Sequence, residues 1–66
     1  MKVVTGGQFC QALRRKGWQH IRTRGSHQTW SKGGVTVTVP VHAGRDLGRG
    51  LMSALMKQSG LTDSEL

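Results

Sequence analysis

The chain predicts an α+β fold in which one helix, three antiparallel strands and a second helix form two layers. Three observations predict it. Apolar residues recur at helical spacing before Gly17, alternate with polar ones between Trp18 and Val39, and return to helical spacing after Leu47. Gly25-Ser26 and Gly33-Gly34 divide the alternating stretch into three runs. The only proline, Pro40, closes the last run. At 66 residues the chain is expected to form a single domain over 1–66, because so short a polypeptide buries only about 60% of its unfolded surface.

Thr5-Gly6-Gly7-Gln8 carries the capping-box pattern, in which a hydroxyl and an amide satisfy each other's free backbone donors at a helix start. Val4 and Phe9 are spaced as a hydrophobic staple, and Phe9, Ala12 and Leu13 form a stripe at i, i+3, i+4. Gly17 suits the left-handed position after a helix ending near Lys16, with Arg14, Arg15 and Lys16 complementing the dipole in the last turn. Strands are expected over 18–24, 27–32 and 35–39, with Gly33-Gly34 supplying a two-residue hairpin turn. Residues 41–46 then read as a loop. A second helix follows, with Leu47, Leu51, Ala54 and Leu55 as its inner stripe, Met52 and Met56 beside it, and Gly60 as its stop. Residues 62–66 form a short tail.

Alternation assigns the sheet faces. Ile21, Trp30, Val35, Val37 and Val39 make an inner side, the only apolar sheet surface on which both helices can bury their stripes. His27 lies three residues from Trp30 and so points the opposite way, with Arg22, Arg24, Thr29, Ser31, Thr36 and Thr38. Both helices thus share one face of a three-stranded antiparallel sheet. This α-β-β-β-α sandwich is of the double-stranded-RNA-binding-domain type.

Ten Lys and Arg against three acidic residues give a net charge of +7. An excess this large points to nucleic acid, an anionic membrane surface or an acidic protein as partner, the membrane being the weakest of the three. No apolar run approaches the roughly 18 residues needed to span a bilayer, and Met1-Lys2-Val3-Val4 is too brief for a signal peptide, so a cytoplasmic protein without membrane partners is expected. Cys10 is the single cysteine and falls in the first helix, where it reads as a buried thiol.

The candidate for chemistry is His27, leaving the Gly25-Ser26 turn beside two guanidiniums. An imidazole can take the proton from a ribose 2′-hydroxyl, which then attacks its own phosphate. Arg22, Arg24, Ser26 and Lys32 are the expected RNA-binding residues around it. Only Asp46, Asp63 and Glu65 are acidic. A two-metal phosphodiesterase needs converging carboxylates, so neither metal nor small-molecule cofactor is expected. The proton donor to the leaving oxygen is open among His20, His42 and water. His42, after a strand-ending proline, reads first as a structural residue bonding backbone groups, and Trp30 as core rather than a stacking platform.

Gly17-Trp18, Arg22, Gly25-Ser26-His27, the stretch Val37-Thr38-Val39-Pro40-Val41-His42 and the helix around Gly50-Leu51 together resemble the HicA family of bacterial toxins, nearly end to end. The resemblance implies an mRNA-cleaving ribonuclease of a HicA–HicB toxin-antitoxin system, with His27 catalytic and a HicB-like antitoxin covering it. Gly50-Leu51-Met52 departs from the family's usual Gly-Thr plus an apolar residue, which bears on the cap of the second helix. The competing reading is a non-enzymatic RNA-binding module using the same basic face. A DNA-binding regulator ranks last, because neither helix presents a basic, amide-rich outer face.

Overall fold

The computed structural model describes residues 1–66 and has the expected order: α1 (Gly6–Arg15), β1 (Gln19–Arg24), β2 (His27–Lys32), β3 (Val35–Pro40) and α2 (Arg49–Ser59), followed by a 3-10 turn at Asp63–Glu65. It is an α+β fold with one antiparallel sheet of strand order β1-β2-β3. The arrangement is consistent with the double-stranded-RNA-binding-domain type. Neither helix is long and apolar enough to cross a membrane.

The capping box at Thr5 forms in full. Gln8 N–H donates to Thr5 Oγ1 at 3.1 Å, and Thr5 N–H donates to Gln8 Oε1 at 2.9 Å. Its far end closes through Gly17 at φ 92°, with Trp18 N–H donating to the Leu13 carbonyl at 3.0 Å. Between these stops α1 turns Phe9, Ala12 and Leu13 onto the sheet, each fully buried. They meet Trp30, Val37 and Val39 from the strands and Met52 and Leu55 from α2 in one cluster of 13 buried residues. Both helices therefore lie on one face of the sheet. Each fully buried side chain of this size stabilises the fold by about 1.5–3 kcal/mol relative to exposure.

Gly6 sets how closely α1 approaches β3. A Cβ there would overlap the Pro40 carbonyl oxygen and lie 3.0 Å from Val41 Cα.

The hydrogen-bonding pattern of the β2–β3 ladder places the side chains. The register runs from Lys32↔Val35 to His27↔Pro40, and Val41 N–H donates to the Ser26 carbonyl at 2.6 Å, extending the pairing by one residue. Pairs alternate in antiparallel ladders, so 26–41 is a hydrogen-bonded position and 27–40 is not. Pro40's missing N–H would have pointed away from β2, on the open edge where proline is tolerated.

Several expected inner residues lie elsewhere. Ile21 is 49% exposed and Val35 46% exposed. In β1 the register slips between His20, which pairs with Trp30, and Arg22, which pairs with Thr29. Ile21 is the extra residue of a β-bulge, unpaired on an edge strand. Val35 keeps the parity of Val37 but sits beside the Gly33-Gly34 turn, beyond the cover of the helices.

The second helix begins at Arg49, with Gly48 as N-cap and no side-chain cap bond. Its buried positions are Met52 and Leu55, whereas Leu51 is 39% exposed and Ala54 is exposed. Leu47 reaches the core from the loop, held by its N–H donating to the Val4 carbonyl at 2.8 Å. Because Leu47 is outside the helix, it does not set the helical phase. The inner stripe is Met52, Leu55 and half-buried Met56, rotated from the expected one.

The tail folds back. Glu65 Oε2 is 2.9 Å from Lys16 Nζ, Arg15 Nη2 donates to the Glu65 carbonyl at 3.2 Å, and Thr62 N–H donates to Glu65 Oε1 at 2.7 Å. The Lys16 hydrogen bond, followed by that from Thr62, holds the Glu65 carboxyl below its ordinary value of 4.5. A depressed carboxyl gives stability that is present above its ordinary value and lost as pH falls through the folded one. The tail is therefore expected to release in acid, as pH falls below the ordinary carboxyl range, seen as loss of amide protection at Leu66, and Glu65→Gln is expected to remove that pH dependence. Release at neutral pH in the unaltered chain would contradict this account.

Candidate active site

His27 opens β2 immediately after a two-residue turn. Gly25 has φ 59°, the positive value that a II′ hairpin turn requires at its first central position, while Ser26 keeps ordinary backbone. The Ser26 carbonyl is held by Val41 N–H, so the turn is tied to the end of β3. His27 pairs with Arg24 on one side and Pro40 on the other. The Pro40 pair is of the non-hydrogen-bonded kind, in which Cα atoms stand about 4.5 Å apart and side chains are closest.

Two residues along β2, Thr29 pairs with Arg22 and with Thr38. The face turned away from the helices therefore carries His27 with Arg24 and Arg22 on its β1 flank, and Thr29 and Thr38 as a floor. The bulge at Ile21 creates this grouping. Without it His20 and Arg22 would share a face; with it His20 goes with Trp30, and Arg22 with Thr29.

Thr29 is only 7% exposed although no helix covers its side of the sheet. Its hydroxyl is 3.2 Å from that of Thr38. One of the two donates to the other, and the second keeps a proton for an acceptor above the sheet. Sequence parity places both threonines on this face but carries no sign that Thr29 is buried while Thr38 is exposed.

Of the expected RNA-binding residues, Arg22, Arg24 and Ser26 lie around His27 and Lys32 does not. Lys32 has the parity of Trp30, and its Nζ donates to the Lys16 carbonyl at 2.6 Å, where a cation meets the negative end of α1.

His20 also belongs to the helix side. Its ring centroid is 5.1 Å from that of Trp30, and its Nε2 is hydrogen-bonded to Thr23 Oγ1 at 2.8 Å. Arg14 stacks over Trp30 at 5.3 Å. Trp30 itself is 2% exposed and belongs to the core. Cys10 is buried, and burial raises its thiol above the ordinary value, with smaller opposing contributions from Trp30 and Arg14.

The one cleft, of about 190 Å³, is lined by Gly7, Cys10, Gln11, Arg14, Gln28 and Trp30. Gln28 and Trp30 face the helices, so this concavity and His27 are on opposite sides of the sheet. The three carboxylates are dispersed: Asp63 and Glu65 in the docked tail, and Asp46 in the isolated bridge with Thr5. No three His, Cys, Asp or Glu side chains come together.

Over residues 6–61 the chain matches the family model described as the HicA toxin of bacterial toxin-antitoxin systems. The chain belongs to the HicA toxin family. Comparison with curated proteins finds no match. The match spans both helices, all three strands and the turn bearing His27, and ends at Leu61 before the tail. Membership of the HicA family makes this chain a toxin of a toxin-antitoxin system, which implies a cognate antitoxin.

Proposed function

We propose that this HicA-family toxin is a metal-independent endoribonuclease that cuts mRNA in the cytoplasm and so inhibits translation, with His27 as the proton-transfer group. The observation that carries the reading is the position of His27, exposed on the open sheet face between Arg24 and Pro40, with Arg22 and the threonine pair one step along. His27 takes the proton from a ribose 2′-hydroxyl, and the oxygen attacks the adjacent phosphorus. Arg22 and Arg24 bind the phosphate and stabilise the charge gathering on its oxygens. The free threonine proton has the right character to hold a phosphate or ribose oxygen. Ser26 positions the turn through its backbone carbonyl.

The antitoxin is HicB-like and acidic where it meets this face. The face carries Arg22 and Arg24, and none of the three strands holds a carboxylate to offset them; such a surface favours a partner of opposite sign.

The test is purified full-length chain with an mRNA transcript in excess EDTA. The expected result is cutting that leaves 2′,3′-cyclic phosphate and 5′-hydroxyl ends. A requirement for divalent metal, or 5′-phosphate ends, would overturn the mechanism. Binding without cutting would instead favour the RNA-binding module.

A further inference from the structure

Breaking a phosphodiester by 2′-hydroxyl attack moves two protons, one from the attacking oxygen and one to the leaving 5′-oxygen. His27 accounts for the first only. Of the two remaining histidines, His20 is on the helix side of the sheet, its ring tilted against that of Trp30, and is excluded by position.

His42 lies on the other side. The bond from Val41 N–H to the Ser26 carbonyl carries the β2–β3 pairing past Pro40. Val41 is half-buried against the core, so the alternation that takes Val41 inward takes exposed His42 outward, to the face of His27. His42 is then the diagonal neighbour of His27, two residues beyond its partner Pro40. Such diagonals stand about 7–8 Å apart, within reach of aromatic side chains for a common ligand.

Its surroundings fit a reactive group better than a structural one. The His42 carbonyl accepts the Arg45 N–H at 3.0 Å, which fixes the loop through the backbone. The imidazole makes no hydrogen bond within the chain, contrary to the expectation that it serves to bond backbone groups. The cations nearest in the ladder are Arg24 and Arg22 on the β1 flank of His27, and Arg45 stands in the loop of His42 itself.

We propose that His42 is the general acid of the cleavage step, protonating the leaving 5′-oxygen; this rests on the ribonuclease reading above. Neutral His27 takes the 2′-hydroxyl proton as the O2′–P bond forms. The P–O5′ bond breaks, and its electron pair goes to the 5′-oxygen, which receives the proton of His42 imidazolium. The products are a 2′,3′-cyclic phosphate and a 5′-hydroxyl. The enzyme is left with His27 protonated and His42 neutral, and exchange with water restores both.

The experiment compares the unaltered chain, His42→Ala and His27→Ala on two RNA oligonucleotides spanning one mapped cut site. One has the ordinary linkage, and the other has sulfur in place of the scissile 5′-oxygen. A thiolate leaves without being protonated, so it does not need the acid. His42→Ala is expected to cut the ordinary linkage about 10²–10⁴-fold more slowly, the usual contribution of a positioned proton donor, yet to cut the sulfur linkage within a few-fold of the unaltered chain. Equal slowing on both substrates, or no slowing on either, overturns the assignment. His42→Gln, which keeps a polar side chain of similar length, should behave as His42→Ala on both substrates; rescue of the ordinary linkage by Gln would likewise overturn it. His27→Ala should be slow on both, and full activity in that variant would sink the ribonuclease reading itself.

Discussion

His27→Ala is expected to lower RNA cleavage by about 10²–10⁴-fold while leaving RNA affinity within a few-fold of the unaltered chain. The range is that of a positioned general base and corresponds to about 3–5 kcal/mol of transition-state stabilisation. Affinity should survive because the phosphate contacts assigned to Arg22 and Arg24 come from β1, whose pairing with β2 is made by backbone groups that the substitution does not touch. In cells the same variant should no longer arrest growth when expressed without antitoxin. Cleavage kinetics and a binding titration at fixed salt on the same oligonucleotide separate the two effects. An alanine variant cutting at the unaltered rate would remove His27 from the chemistry. The fold should be unaffected, since the side chain is exposed and bonded to nothing in the chain.

Gly6→Ala should have the largest effect on stability, although it adds one methyl group. The new Cβ has to displace the Pro40 carbonyl, and Val41 Cα is 3.0 Å away. Both obstacles are backbone, so no rotamer change relieves them. Overpacking of this kind costs about 1–3 kcal/mol or more. A 66-residue chain at ~0.05–0.15 kcal/mol per residue has only about 3–10 kcal/mol in total. The melting temperature should fall by about 4–8 °C for each kcal/mol lost. Gly7→Ala is the control, because its nearest neighbour is Thr5 Oγ1 at 4.0 Å. It should be neutral, or stabilising by up to about 1 kcal/mol through helix propensity. Urea midpoints of the two variants decide the matter, and equal stability would refute the close approach of α1 to β3. Pro40 is the cross-strand partner of His27, so Gly6→Ala is also expected to disturb the site from the opposite layer.

What could be read from the sequence was whatever depends on local rules. The Thr5–Gln8 box, the stops at Gly17 and Gly60, the two hairpin turns and the alternation in Val35–Val39 are set by residues within a few positions of each other. They fixed the element order and put His27, Arg22 and Arg24 on one face. The bulge at Ile21 was not legible, because an extra residue in one strand is defined only against its partner. The same holds for Lys32, whose inward parity follows from Trp30 but whose bond to the Lys16 carbonyl depends on where α1 ends in space. Leu47 obscures the phase of α2, because it fits a helical stripe by spacing while being held in the loop by Val4. His42 reads as structural from its place after Pro40, and the Ser26–Val41 bond, which carries the pairing one residue past Pro40 to its neighbour, depends on a contact between strands that no local rule supplies.

The two rims of the sheet also restrict how another polypeptide can attach. Extension by strand addition needs a row of free N–H and C=O groups. Along β3 that row lacks a donor at Pro40, level with the imidazole, and along β1 it is kinked at Ile21. A protein that shields His27 is therefore better served by lying across the broad side of the layer than by lengthening it, and two copies of this chain have little means to zip together edge to edge.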